Sequence, residues 1–201
     1  LRQRKDRPLK VQMSRLDQVL AAIDAANSHD PVQEEGQPAA LLYGRRMSAR
    51  LAVFAPEAGE ALQIAIRGQH IERWSIPRSA YPMDKPGYFR WRNELKKVHA
   101  ERLAGIMGAA GYDAAAIERA GQIVRKERVK LDPEAQTLED VACLVFLEHY
   151  AADFAARRPE DKCVDIVRKT WAKMSDAGHA AALALDLPAG VAALVKKALA
   201  A

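Results

Sequence analysis

Cysteine is almost missing from this sequence. Cys143 and Cys163 are the whole complement, too few and too oddly placed for a disulfide framework. Cys143 lies inside VACLVFL, where a thiol behaves as a small hydrophobe, and such sparing use suits a reducing cytosol. No apolar run approaches the roughly 20 residues that a membrane span needs. The basic opening LRQRKDRPLK is not followed by the apolar region of a signal peptide. The expected location is therefore cytoplasmic, with no membrane partner. Glycine-rich phosphate loops, G-x-S-x-G elbows, CxxC pairs and HExxH helices are all missing. Neither cysteine has a histidine signature beside it, which argues against a thiol nucleophile.

Aromatic residues make up only 6% of the chain, while 49% is apolar. Alanine is abundant and costs the least entropy in a helix, so an all-α fold is expected. The net charge of +5 is unevenly placed. Five basic residues against one acid give LRQRKDRPLK alone +4, and the remainder is nearly neutral. Met13-Ser14 reads as a start, so residues 1–12 are expected to be a leader and 13–201 a single helical domain. A basic leader is not the patterned face that phosphate backbones require, and nucleic acid is the weakest of the partner readings.

RLDQVLAAIDAAN carries Leu16, Val19, Leu20 and Ile23 at helical spacing, and NSHDP stops it. His29-Asp30 is expected to form a cap and turn, because Pro31 forces Asp30 out of the helical region. VQEEGQPAA reads as a polar loop. Tyr43, Met47, Leu51 and Phe54 mark a second helix. Pro56 and Glu57 are expected to open a third, on which Leu62, Ile66, His70 and Trp74 fall on one line. His70 then points inward, either as a satisfied core histidine or as a ligand. Pro77, Pro82, Pro86 and Gly87 predict a defined loop of the kind that carries function. Beyond it Trp91, Leu95, Val98 and Leu103 face the core, with His99 beside them. Asp113 is the expected N-cap of a helix over 114–130, whose basic end (Arg125, Lys126, Arg128, Lys130) complements the macrodipole. Thr137 and Asp140 resemble a capping box before the central helix VACLVFLEHYAADF, whose apolar run goes round the whole cylinder.

His70, His99, Lys126 or Glu127, and Glu139-Asp140 thus fall on four consecutive helices, and imidazoles with carboxylates in a bundle are materials for a divalent-metal site. Their order resembles the HD superfamily of metal-dependent phosphohydrolases. AIRGQHI stands where that family has its His-Asp helix, HAERLAGIMGAAG matches its second His helix, and EAQTLEDVACL its closing aspartate motif, over roughly residues 40–150. The resemblance implies an HD-like bundle of about eight helices, with His70 and Asp140 as metal ligands, His99 and Glu139 assisting proton transfer, and phosphoester hydrolysis on a nucleotide-like substrate. The departures are Ile71 in place of the paired aspartate, Tyr43 or an arginine of YGRRM in place of the first histidine, and Lys126 or a neighbour in place of a later one. A cation such as Arg46, Arg67 or Lys126 could then offset Asp140 where an ion would have stood. Arg46, Arg67, Arg73, Arg78, Arg90 and Arg92, with Trp74 and Trp91, suit an anionic or phosphorylated small molecule, guanidinium gripping oxyanions and indole stacking on a planar group. Binding of such a ligand at a degenerate metal site is the favoured reading, with the hydrolase as its alternative. Homo-oligomerisation is left open.

The whole chain after Met13 is also similar to an uncharacterised bacterial and fungal family, domain of unknown function four-two-zero-two. RLDQVLAAIDAAN, LLYGRRM, QHIERWSIPRSAYPMDKPGYFRWR, QTLEDVACLVFLEHY and DIVRKTWAKMS carry the likeness. It implies no activity.

Overall fold

The computed structural model of the protein describes residues 13–200; the expected leader at 1–12 lies outside the described residues. Among these the chain forms ten α-helices and one two-stranded hairpin, so the expected all-α class holds, with two more helices than the eight expected. No helix among them is long and apolar enough to cross a membrane.

Helix α1 (Arg15–Asn27) starts where Ser14 accepts a hydrogen bond from the Asp17 amide and ends in the NSHD turn. His29 Nδ1 donates to the Ala25 carbonyl at 2.9 Å. The Asp30 carboxylate accepts from the amides of Val32 and Ala40, both at 2.9 Å, so this turn residue also caps the start of α2 (Ala39–Phe54). The stretch read as a polar loop forms a hairpin instead, β1 (Gln33–Glu34) against β2 (Gln37–Pro38). Its strands are too short to show alternation. Glu35 and Gly36 turn the chain with φ of 50° and 73°, and Arg46 of α2 grips both Glu34 and Glu35.

Helix α3 (Glu60–Gly68) begins later than Pro56 suggests and ends before His70 and Trp74. It passes so close to the next helix that a Cβ on Gly68 would lie 2.4 Å from Leu103 Cδ2. The following turn holds Glu72 at φ 49°. It is pinned from two sides: Asn27 Oδ1 accepts from the Glu72 amide, and Arg102 grips the carboxylate in a fork at 2.5 and 2.9 Å. The expected long loop is partly ordered into two single 3-10 turns, Arg73–Ser75 and Arg78–Ala80. Pro86 and Gly87 belong to the first turn of α4 (Lys85–Ala109), capped by Asp84.

Helix α5 (Ala114–Arg125) has the expected Asp113 N-cap, but it stops at Lys126, whose φ of 57° is left-handed. Lys126, Arg128 and Lys130 therefore lie past its end. Helix α6 (Pro133–Val145) starts at Asp132, whose carboxylate caps the helix and takes both arms of Arg119. Thr137 is inside this helix, its hydroxyl donating to the Pro133 carbonyl, so there is no capping box. The helix widens into a π turn at Phe146–Tyr150 and continues as α7 (Ala151–Ala156). Helices α8 (Glu160–Trp171), α9 (Asp176–Leu183) and α10 (Ala189–Leu199) complete the chain.

Helix α6 is the spine. Leu138, Val141 and Val145 on one stripe enter a core built with α1 to α5. Leu144 and Leu147 on another enter a second core built with α8 to α10. Successive residues advance about 100° around a helix, so positions 138 and 140 point in nearly opposite directions. Asp140 shares the stripe of Leu144 and Leu147. That placement decides its role.

Candidate functional site

A cavity of about 360 Å³ opens between α2, the π turn, the two 3-10 turns and α4, lined among others by Tyr43, His70, Arg73, Trp74, Trp91 and Tyr150. Each wall has a local cause. Tyr43 lies three residues before Arg46 on α2, and the π turn inserts an extra residue that re-aims Tyr150 toward Arg46, which donates to its hydroxyl at 3.0 Å. Trp91 is buried on α4 and donates its indole N–H to the Ile76 carbonyl at 2.9 Å, tying the 3-10 segment down. The Arg78 guanidinium donates to the carbonyls of Tyr81 and Asp84, bracing the same segment.

His70 stacks on Tyr43 with ring centroids 4.5 Å apart and planes 18° from parallel. Next to it, Gln69 donates to the Tyr43 hydroxyl at 2.7 Å, while its own Oε1 has no partner. Behind His70 is a second, much smaller space of about 20 Å³, lined by Gln69, His70, Arg73, Arg92, Lys96 and His99 together with Leu95, Val124 and Lys126. It has room for a water-sized group. His99 is 2% exposed; its ring nitrogens form no hydrogen bond of normal geometry, and only the Ile71 carbonyl acts weakly on them.

Both histidines are neutral at physiological pH. Burial drives the His70 imidazole well below its ordinary range, and Arg73, His99, Lys126 and Arg92 push the same way. Burial, then Arg73, takes His99 down to about 4, against smaller opposing effects of the Ile71 carbonyl and Glu72. Burial and the adjacent Arg92 also lower Arg73, and burial, Arg92 and Lys126 lower Lys96. Burial works to raise the Glu139 carboxyl, but the Lys126 ammonium bonded to it, with Lys173 and Arg92, holds it below the ordinary carboxylate range. Burial pushes the Cys143 thiol up to about 12, which removes it as a nucleophile.

The histidine shift has a consequence for stability. Unfolded His99 takes a proton below about pH 6.5, whereas the folded residue does so only near 4. Between those values the unfolded chain binds more protons, so stability falls as pH is lowered through this window. At about 1.4 kcal/mol per pH unit the penalty is on the order of 2–3 kcal/mol by pH 4. In His99→Gln that part of the acid slope disappears, as chemical denaturation of both proteins at pH 7 and pH 4.5 will measure.

The structure assembles only part of the site expected from the sequence. His70, Arg73, Arg78, Trp74 and Trp91 line the cavity, and Arg73 and Arg92 line the small space with His99. Arg46 is spent on Glu34 and Glu35, and Arg67 forks onto Asp24 at 2.7 and 2.8 Å. Arg90 is exposed and lines neither space. Glu139 lies elsewhere, paired with Lys126. Asp140 is 2% exposed, and neither space that His70 lines reaches it. One of its oxygens accepts from the Ser175 amide at 2.8 Å and from Gln136 at 3.0 Å, and the other from the Ser175 hydroxyl at 2.6 Å. Asp140 thus anchors the N-terminus of α9. His70 and Asp140 are not brought together as a ligand pair. Among the described residues no three or more His, Cys, Asp or Glu side chains are grouped to hold a metal ion, so the residues present do not fit the expected divalent metal.

Three residues, two of the cavity and one of the small space, escape a sequence reading. Tyr43 looks like core, and Tyr150 is aimed by a π turn that no pattern announces. Lys96 is different: Arg92, Lys96 and His99 stand at helical i, i+4 and i+7 positions, and this polar stripe on α4 could have been found.

These features define an all-α protein with an aromatic cavity lined by Arg73 and Arg78 and by the carboxylates Asp30 and Glu34. The chain belongs to the family described as Domain of unknown function (DUF4202), whose model matches residues 17–195. No curated protein and no solved structure matches it. The family match agrees with the whole-chain likeness seen in the sequence, and the likeness to the HD superfamily has no counterpart in it.

Proposed function

We propose that the protein binds a small organic anion, with a planar part against the Tyr43–His70 stack and Trp91 and an oxyanion group on Arg73. One observation carries this reading. Arg73 is half-buried, lies 4.6 Å over the Trp91 ring, and forms no salt bridge among the described residues. Arg46, Arg67 and Arg119, by contrast, all grip carboxylates. A desolvated cation without a counter-ion is costly, and an anion arriving in the cavity offsets that cost. The carboxylates nearby cannot do so, because Asp30 is occupied by two amides and Glu34 by Arg46.

Binding suits the site better than hydrolysis. Both imidazoles are neutral and cannot act as acids at pH 7, Glu139 is held as a salt bridge, and Asp140 is committed to Ser175. Phenyl phosphate serves as the probe, read through the fluorescence of Trp74 and Trp91. A saturable change is expected in the wild type, with affinity weakened roughly 10- to 100-fold in Arg73→Ala. Equal responses in the two proteins, or none in either, would overturn the proposal.

A further inference from the structure

On the far side of the small space from the aromatic cavity, a groove of about 360 Å³ runs between α4, the α5–α6 turn and the end of α8. Arg92, Lys96, Lys126, Lys130 and Lys173 line it, and Glu139 is its one carboxylate. Glu139 is shared between Lys126 and, at 3.9 Å, Lys173. Lys130 is held by the Lys173 carbonyl, while Arg92 and Lys96 form no salt bridge among the described residues. Both are half-buried.

Folding therefore gathers like charges that repel one another. It does so with a backbone that is itself costly, since Lys126 and Arg128, neither of them glycine, adopt φ of 57° and 52° in the turn that delivers Lys126 and Lys130. The wall between groove and cavity holds His99, 2% exposed, in the space that Arg92, Lys96 and Lys126 also line. Two unpaired cations, Arg92 and Lys96, and a strained turn call for the same missing group, an anion with several acceptor oxygens.

We infer that this groove is a second anion site, and that it takes a compact, multiply charged oligophosphate rather than a single phosphate. Four lysines and an arginine against the single carboxylate of Glu139 leave the groove with an excess of four positive charges, about twice what one phosphate group carries at neutral pH. The connecting space is only water-sized, so the groove is a site of its own and does not depend on the aromatic cavity being a ligand site.

The test uses inorganic tripolyphosphate and orthophosphate, measured by calorimetry on the full chain at low and moderate ionic strength. Tripolyphosphate is expected to bind with a stoichiometry of one, at least about tenfold tighter than orthophosphate, and to weaken about tenfold or more in the double variant Lys96→Gln, Lys130→Gln. That variant spares the Lys126–Glu139 pair, and its melting temperature without ligand should match or exceed that of the wild type. Trp74→Ala, which lines the cavity but neither the small space nor the groove, should leave tripolyphosphate binding within about twofold of the wild type. Equal affinity for the two phosphates, or undiminished binding in the double variant, would overturn the inference while leaving phenyl phosphate binding to be judged separately. Tighter binding of a single-stranded RNA oligomer than of tripolyphosphate at equal phosphate concentration would also overturn it, in favour of a nucleic-acid surface.

Discussion

Asp140→Ala lowers the melting temperature by about 6–12 °C, the equivalent of about 3 kcal/mol in a domain of this size. The carboxylate satisfies the Ser175 amide, the Ser175 hydroxyl and the Gln136 side chain at once. Hydrogen bonds to a charged group contribute more than neutral ones, and their loss here leaves the half-buried Ser175 amide without its acceptor. Alanine cannot be rescued by collapse, because the backbone at Gly178 is packed against the carboxylate so closely that a Cβ there would lie 2.6 Å from Asp140 Oδ1. Asp140→Asn keeps the shape and an acceptor and should lose about half as much. In a double-mutant cycle with Ser175→Ala the two substitutions should be strongly non-additive. Phenyl phosphate binding should be unchanged at temperatures where the variant is folded, which separates an anchor for α9 from a ligand in the cavity.

Trp91→Ala is expected to be costlier still, about 3–5 kcal/mol, the usual range for truncating a buried tryptophan. The side chain is 8% exposed, holds the Ile76 carbonyl, and supports Arg73 on its ring face. Its loss opens a void in one wall of the cavity and frees the 3-10 segment. Hydrogen exchange should therefore quicken over residues 73–81 before the rest of the chain is affected. Trp91→Phe fills most of the volume but leaves the carbonyl without its donor. It should cost about 1–2 kcal/mol and still weaken phenyl phosphate binding, because the indole face under Arg73 is gone.

The helices were legible because their apolar spacing is strong. Arg15–Asn27, Ala39–Phe54 and the Asp113 cap lie where the pattern puts them. Asp140 was not legible as an anchor. Its partner Ser175 is 35 positions away, and only the phase of α6 between two cores shows which way the carboxylate points. The line through Leu62, Ile66, His70 and Trp74 misled as to mechanism, since α3 ends at Gly68. His70 reaches the cavity from a turn pinned by Asn27 and Arg102, contacts that no local pattern contains. The arginines were found as a group, yet sequence could not sort them. Whether a guanidinium is free or spent depends on a carboxylate such as Asp24, 43 positions from Arg67.

The stability of Arg73→Met without any ligand decides whether this cation is held for an anion. If Arg73 is a desolvated cation kept for an incoming anion, methionine relieves burial and repulsion from Arg92 while preserving contact with Trp91. The variant should then melt at or above the wild-type temperature and gain nothing from phenyl phosphate. A melting temperature several degrees below that of the wild type would instead make Arg73 a structural residue already satisfied by the protein around it.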